Sequence, residues 1–73
     1  MHNETRRKVF GEAIREARLS QGLSQRGLAK MTGASSHSYI AEIERGDANP
    51  TFDTVCKLAD ALDVSPQYFF TRF

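Results

Sequence analysis

The chain has 73 residues, of which 40% are hydrophobic and 26% charged, and its net charge at pH 7 is +1. This length predicts a single domain over residues 1–73, with a small core that gains from an idealised fold or from self-association. No apolar stretch is long enough to cross a membrane, and no apolar segment follows the N-terminal charges, so neither a membrane span nor a signal peptide is expected. The single cysteine, Cys56, excludes an internal disulfide and fits a cytoplasmic location.

Charge is distributed unevenly along the chain. Up to Gly46 there are eight Lys or Arg and five Asp or Glu, and after it there are two and four. This distribution is typical of a protein whose basic end binds nucleic-acid phosphates, but it also occurs on ordinary protein surfaces of mixed charge. Charge alone therefore leaves both interpretations open.

The first predicted helix follows a frayed segment at residues 1–5 and reaches Ser20 or Gln21. Gly22 provides its C-terminal stop. The basic cluster at residues 6–8 has two interpretations, charge that keeps a small protein soluble or contact with a phosphate backbone. Apolar residues at helical spacing predict a buried stripe, which comprises Phe10, Ala13, Ile14 and Ala17.

A second helix is predicted to start after Ser24, a residue type that caps helix N-termini. Leu23 and Leu28 flank the cap at the spacing of a hydrophobic staple. Ala29 lies on the same face and is small enough for another helix to approach closely. Gly27 deprives Ser24 of a capping-box partner and costs up to about 1 kcal/mol of helix stability.

Gly33 marks a tight turn, because glycine accepts the left-handed backbone that ends a helix. Ser35 or Ser36 can cap the third helix, which ends at Gly46. Ile40 and Ile43 are predicted to face inward. The outward-facing residues are His37, Ser38, Ala41, Glu42 and Arg45. Two short helices in this arrangement form a helix-turn-helix, whose second helix enters the DNA major groove.

Two further helices are predicted beyond a loop in which Pro50 keeps Asn49 extended. Thr51 caps the fourth helix, and Ser65-Pro66 opens the fifth, with proline at the first helical position. The predicted inner stripe of the fourth helix comprises Phe52, Val55, Cys56, Ala59 and Leu62.

Catalytic and metal sites have little support in this sequence. The only histidines are His2 and His37, and with Cys56 they make three candidate ligands where a structural zinc site needs about four. Cys56 and His37 are predicted on different helices with opposite exposure, so they do not form a nucleophile–base pair. We therefore expect no enzyme activity, cofactor, metal or small-molecule ligand, with His37 facing solvent and DNA and Cys56 acting as a buried small hydrophobe.

The sequence resembles the lambda-repressor/Cro-type helix-turn-helix family, and within it the controller proteins of restriction-modification systems. The resemblance rests on Leu-Ser-Gln-x-x-Leu-Ala from Leu23, a glycine turn, Tyr-Ile-x-x-Ile-Glu-Arg-Gly from Tyr39, and Asn-Pro-Thr from Asn49. It covers about residues 10–70 and implies an all-α, compact bundle of about five helices. Two features depart from the family pattern, Gly27 and one extra residue near Ser35.

The resemblance implies a sequence-specific transcriptional regulator that binds double-stranded DNA, as a homodimer on a paired half-site operator, with control of a restriction-modification operon as a further implication. It also implies a phosphate contact from Gln25 and a partly buried ion pair between Arg18 and Glu44. Tyr39 packs against the second helix or reaches a phosphate. The alternative function is a protein-binding module, like an antitoxin or anti-repressor, that retains the fold. The predicted DNA-binding residues are Gln25, Arg26, Ser36, His37, Ser38, Tyr39, Glu42, Arg45 and Asn49.

The C-terminal tail is unusually aromatic. Val64 and Phe69 have the spacing of a second hydrophobic staple, which leaves Tyr68, Phe70 and Phe73 partly unburied. Contiguous exposed aromatic residues usually mark a partner surface, so these three are predicted to form a dimer interface. In the alternative, the tail folds back on the first helix and completes the core of a monomer.

Overall fold

The computed structural model describes residues 2–33 and 36–73, and within them it contains four α-helices and one short 3-10 helix. The α-helices are α1 (Asn3–Ser20), α2 (Gln25–Thr32), α3 (His37–Arg45) and α4 (Phe52–Leu62), and the 3-10 helix is Pro66–Phe70. The prediction of an all-α bundle is confirmed, but the prediction of a fifth α-helix is wrong. Five residues are too few to sustain an α-helix, whose nucleation is costly, whereas 3-10 hydrogen bonds close within such a short segment.

The first helix begins earlier than the sequence suggested. Asn3 is already helical, inside the segment that was expected to fray. The backbone amide of Arg6 donates to the carbonyl of His2 at 3.0 Å, and the Arg6 guanidinium donates to Oδ1 of Asn3 at 3.1 Å. Glu4 also places a negative charge in the first turn, where the helix dipole favours it. These local contacts hold the first turn in place.

Short-range interactions define both ends of α2 and the start of α3. Ser24 caps α2 by accepting a hydrogen bond from the amide of Gly27 at 2.9 Å. Gly33 ends α2 in the left-handed conformation with φ of 74°. Ser36 occupies the N-cap position of α3, but its side chain makes no capping hydrogen bond. Ser35, the other predicted cap and the place assigned to the extra residue, lies outside the described residues.

The core lies where α1, α2, α3, α4 and the 3-10 helix meet. The predicted inward residues of α3 are both 1% exposed. The largest fully buried side chains come from every element, and they are Ile14, Leu28, Ile40, Ile43, Leu58, Leu62 and Phe69. Because α3 contributes two of these residues to the core, its opposite face is left for solvent.

The inner face of α4 differs from the predicted stripe. Phe52 is 77% exposed, Cys56 is half-buried, and Leu58, which was not predicted, is fully buried. The inward residues are spaced at 55, 58, 59 and 62, the i, i+3, i+4, i+7 pattern of one helical face. Phe52 is the first residue of α4 and extends beyond the part of the helix that the rest of the bundle covers.

A close helix crossing sets the position of α3 against α1. A Cβ atom at Gly11 would lie 2.4 Å from the carbonyl oxygen of Ile43 and 2.6 Å from that of Glu44. At the end of α3, a Cβ on Gly46 would lie 3.0 Å from the backbone of Lys8, and Gly46 has φ of 83°. Only glycine allows the two backbones to approach this closely, so these two positions determine how α3 sits on α1.

Candidate nucleic-acid interface

A buried polar network joins α1, α2 and α3 beneath the exposed face of α3. Arg18 donates to Glu44 through two hydrogen bonds, Nε to Oε2 at 2.7 Å and Nη2 to Oε1 at 3.0 Å. The Arg18 side chain is 9% exposed and that of Glu44 is 4% exposed. Nη1 of Arg18 donates to the carbonyl of Leu23 at 2.9 Å, and Nε2 of Gln25 donates to Oε1 of Glu44 at 3.1 Å.

This network fixes the orientation of α3. The bidentate geometry of the Arg18–Glu44 pair is more directional than a contact between point charges. Over the described residues, no buried side-chain nitrogen or oxygen lacks a hydrogen-bond partner. Since α1 supplies the cation, α3 the anion and α2 the amide, none of the three helices can rotate without breaking a hydrogen bond.

The outer face of α3 and its flanks are exposed to solvent. Ser38, Glu42 and Arg45 follow one another at helical spacings of four and three residues, so they lie along one side of α3. Tyr39 is half-buried and packs against the core. The exposed residues of this surface are Arg26, Ser36, His37, Ser38, Glu42, Arg45 and Asn49.

An exposed ion pair lies at the C-terminal end of α3. Nε of Arg45 donates to Oδ2 of Asp47 at 2.9 Å, and both side chains are about 60% exposed, at 59% and 60%. The backbone amide of Asp47 donates to the carbonyl of Glu42 at 2.9 Å, which closes the end of the helix beyond Gly46. A guanidinium in solvent at the end of this helix is a suitable ligand for a phosphate.

A second surface is formed by the aromatic tail. The ring of Phe69 is fully buried and meets Phe10 edge to face at 5.4 Å between centroids, and Phe70 stacks on Phe10 at 5.7 Å. The tail thus folds back on α1, yet Tyr68, Phe70 and Phe73 remain 40%, 43% and 50% exposed. A groove of about 370 Å³ runs beside Phe70 and Phe73, and its other borders are α1, residues 49–50 and the N-terminal part of α4.

An ion pair holds this tail against α1. Arg72 donates a hydrogen bond to Glu16, and the guanidinium lowers the pKa of that carboxyl below its usual value. Both side chains are largely exposed, so the pair positions the tail more than it stabilises the fold.

Comparison with known proteins identifies this arrangement of helices. The sequence pattern of the helix-turn-helix family matches residues 14–69, which include α2, the turn, α3 and the buried network. The chain belongs to the helix-turn-helix family.

Relatives of this helix-turn-helix protein are regulators and controllers. The control protein C.BamHI of Bacillus amyloliquefaciens is 39% identical over 62 residues, which are 84% of this chain and 75% of that protein. The crystal structure of the restriction-modification controller C.AhdI from Aeromonas hydrophila superposes with a TM-score of 0.84 and 41% identity, over 88% of this chain and 96% of that one. The transcriptional regulator PuuR of Escherichia coli is 38% identical, but the chain spans only 33% of its length. The chain is therefore a DNA-binding transcriptional regulator, and its named relatives are regulators rather than enzymes.

The predicted site residues occupy different environments in this helix-turn-helix. The predicted ion-pair residues, Arg18 and Glu44, are in contact and buried. Gln25, for which a phosphate contact was predicted, is half-buried, and its Nε2 donates a hydrogen bond to Glu44. The free backbone amides at the start of α2 remain suitable donors for a phosphate. Sequence reasoning missed Asp47, although an acidic residue two positions after an exposed arginine was a readable signal.

Other site types find no support in the described residues. Within residues 2–33 and 36–73, no group of three His, Cys, Asp or Glu side chains could hold a metal ion. No helix of that same part of the chain has both the length and the apolar character needed to cross a bilayer.

Proposed function

We propose that this regulator binds a paired half-site operator as a homodimer and controls a restriction-modification operon. The proposal rests on the similarity of this chain to several controller proteins over most of their length. The chain spans 75% of C.BamHI, 77% of C.SmaI from Serratia marcescens and 96% of C.AhdI. A regulator of this kind acts where the chromosome is, and we therefore place the protein in the cytoplasm.

Operator reading in this proposal uses the exposed face of α3. Ser36, His37, Ser38 and Glu42 meet base edges, with Glu42 accepting a hydrogen bond from a cytosine amino group. Arg26, Arg45 and Asn49, at the flanks, contact phosphates together with the start of α2. Glu42 repels phosphate, so it favours specificity over general affinity.

Dimerisation in this proposal uses the aromatic tail. Tyr68, Phe70 and Phe73 are exposed although Phe69 is fully buried, and the rings of Phe70 and Phe73 meet edge to face at 5.4 Å between centroids. A two-fold axis through this surface would place the same residues of both subunits in contact. Two copies of α3 would then read half-sites about 34 Å apart, one turn of DNA.

The decisive experiment is selection of bound duplexes from a random pool by the wild-type protein. We expect two related half-sites separated by about one helical turn, and binding to random DNA that weakens steeply with salt. A single unpaired site would contradict the dimeric operator. Indifference to DNA at every salt concentration, with capture of a protein partner, would instead support the protein-binding alternative.

The dimer surface is tested by Phe70→Asp. A charge in the middle of the aromatic surface should shift sedimentation at tens of micromolar toward the monomer and make operator binding weaker and less cooperative. Phe70 also stacks on Phe10, so its replacement could destabilise the fold. Phe73→Asp therefore provides a second variant outside that contact, and thermal melts show whether both variants remain folded. Met31→Asp is the matched control for sedimentation, because Met31 is also a large exposed hydrophobic residue, at 55%, and belongs to α2 rather than to the tail. A monomeric wild type, or tail variants as dimeric as the control, would remove the tail from the interface.

A further inference from the structure

The backbone conformation at the C-terminal end of α3 sets the position of the Arg45–Asp47 ion pair. Gly46 turns the chain through the left-handed region, and the amide of Asp47 is then tied to the carbonyl of Glu42 at 2.9 Å. This turn presents the Asp47 carboxylate to the last residue of the helix, where Arg45 donates to it at 2.9 Å. The carboxylate is therefore held beside the guanidinium even before any DNA arrives.

We propose that Asp47 competes with DNA phosphate for Arg45 and thereby lowers the affinity of this regulator for DNA of any sequence. The inference rests on the phosphate contact proposed for Arg45. A carboxylate and a phosphate bind the same fork of guanidinium N–H donors. DNA must either break the ion pair or accept an arginine whose charge is already neutralised, and both outcomes weaken the contact between Arg45 and phosphate.

The sequence dependence of this effect distinguishes Asp47 from Glu42. Phosphates are the same at every step of a duplex, so a residue that acts on a phosphate contact changes all affinities by a similar factor. A residue that acts on a base edge changes only the sequences carrying that base. Asp47 thus sets the concentration at which the operator fills, without altering which operator is chosen.

The test compares Asp47→Asn with Asp60→Asn in the full chain, on the selected operator and on random duplex. Asp60 is also exposed and its replacement changes the net charge by the same amount, but it lies on α4 and forms no ion pair among the described residues. At low salt we expect Asp47→Asn to tighten binding to both duplexes by about 1.4- to fivefold, the range of an exposed ion pair. The gain should shrink at high salt because the screening length shortens. Asp60→Asn should change binding less.

A double-mutant cycle with Arg45→Met isolates the pair. Arg45→Met should weaken binding to both duplexes, and adding Asp47→Asn to it should give no further gain. The competition would be overturned if Asp47→Asn and Asp60→Asn increased DNA affinity equally, or if Asp47→Asn still increased it in the Arg45→Met background. Either result would show a general effect of net charge. If Arg45→Met leaves binding unchanged, the phosphate contact itself fails and the inference fails with it. Absence of any DNA binding by the wild type would instead reject the proposed function. Asp47→Ser serves as a second variant if Asp47→Asn fails to fold.

Discussion

Replacing Arg18 by methionine tests the network that supports α3. The variant would leave the Glu44 carboxylate, 4% exposed, with only the amide of Gln25 as a side-chain partner, and would also leave the carbonyl of Leu23 without its donor. Removing one member of a buried ion pair costs about 3–5 kcal/mol, because the other charge stays buried and uncompensated. A domain of this length has a total stability of roughly 4–11 kcal/mol. Arg18→Met should therefore remove a large share of the free energy of unfolding.

The assay is urea unfolding at neutral pH, followed by thermal unfolding. A loss of about 3 kcal/mol corresponds to a fall in Tm of roughly 12 °C or more in a domain of this size. Arg45→Met is the matched control, because its partner Asp47 is exposed and such a pair is worth about 1 kcal/mol or less. The double variant Arg18→Met with Glu44→Met removes both charges from the interior and should recover most of the lost stability.

Two results would refute this reasoning. If Arg18→Met costs no more than Arg45→Met, the buried pair is worth no more than a surface pair. If the double variant is as unstable as Arg18→Met alone, the loss comes from packing of the arginine side chain and not from an uncompensated Glu44 charge.

Three further variants test other parts of the molecule. Gly11→Ala should lower stability by about 1–3 kcal/mol in urea unfolding, because its methyl group would overlap carbonyl oxygens at the end of α3, and unchanged stability would mean that the crossing adjusts freely. Glu42→Ala should relax base preference at one position of each half-site while non-specific binding stays equal or becomes tighter, so an unchanged selection profile would exclude Glu42 from base reading. Arg72→Met should raise the titration midpoint of Glu16, measured by NMR, toward its usual value. Because the pKa of Glu16 is lowered in the folded state, its ion pair with Arg72 adds stability above the usual glutamate pKa, and this stability is lost as pH falls through the lowered pKa. An equal titration midpoint of Glu16 in the variant and the wild type would show that Arg72 has no effect on this pKa.

Local sequence determined the helix-turn-helix itself. Ser24 caps α2, Gly33 and Gly46 end their helices in the left-handed conformation, and Ile40 and Ile43 are buried as predicted. Each of these features depends on neighbours within about one helical turn, through a capping hydrogen bond, a backbone preference or a helical spacing. Such information lies entirely in adjacent residues, so it can be read without knowing how the helices pack.

Only the tertiary structure decided what happens where helices meet. Gly11 has an ordinary place in the sequence of α1, and its role comes from carbonyl oxygens of α3 more than thirty residues away. The exposure of Phe52 depends on where the bundle stops covering α4. A phosphate contact was predicted for Gln25 from the sequence, whereas its hydrogen bond to Glu44 could not be predicted, because it exists only where three helices converge. Helical spacing shows which residues share a face, but the partner of each face, and the point where burial ends, are properties of the packed structure.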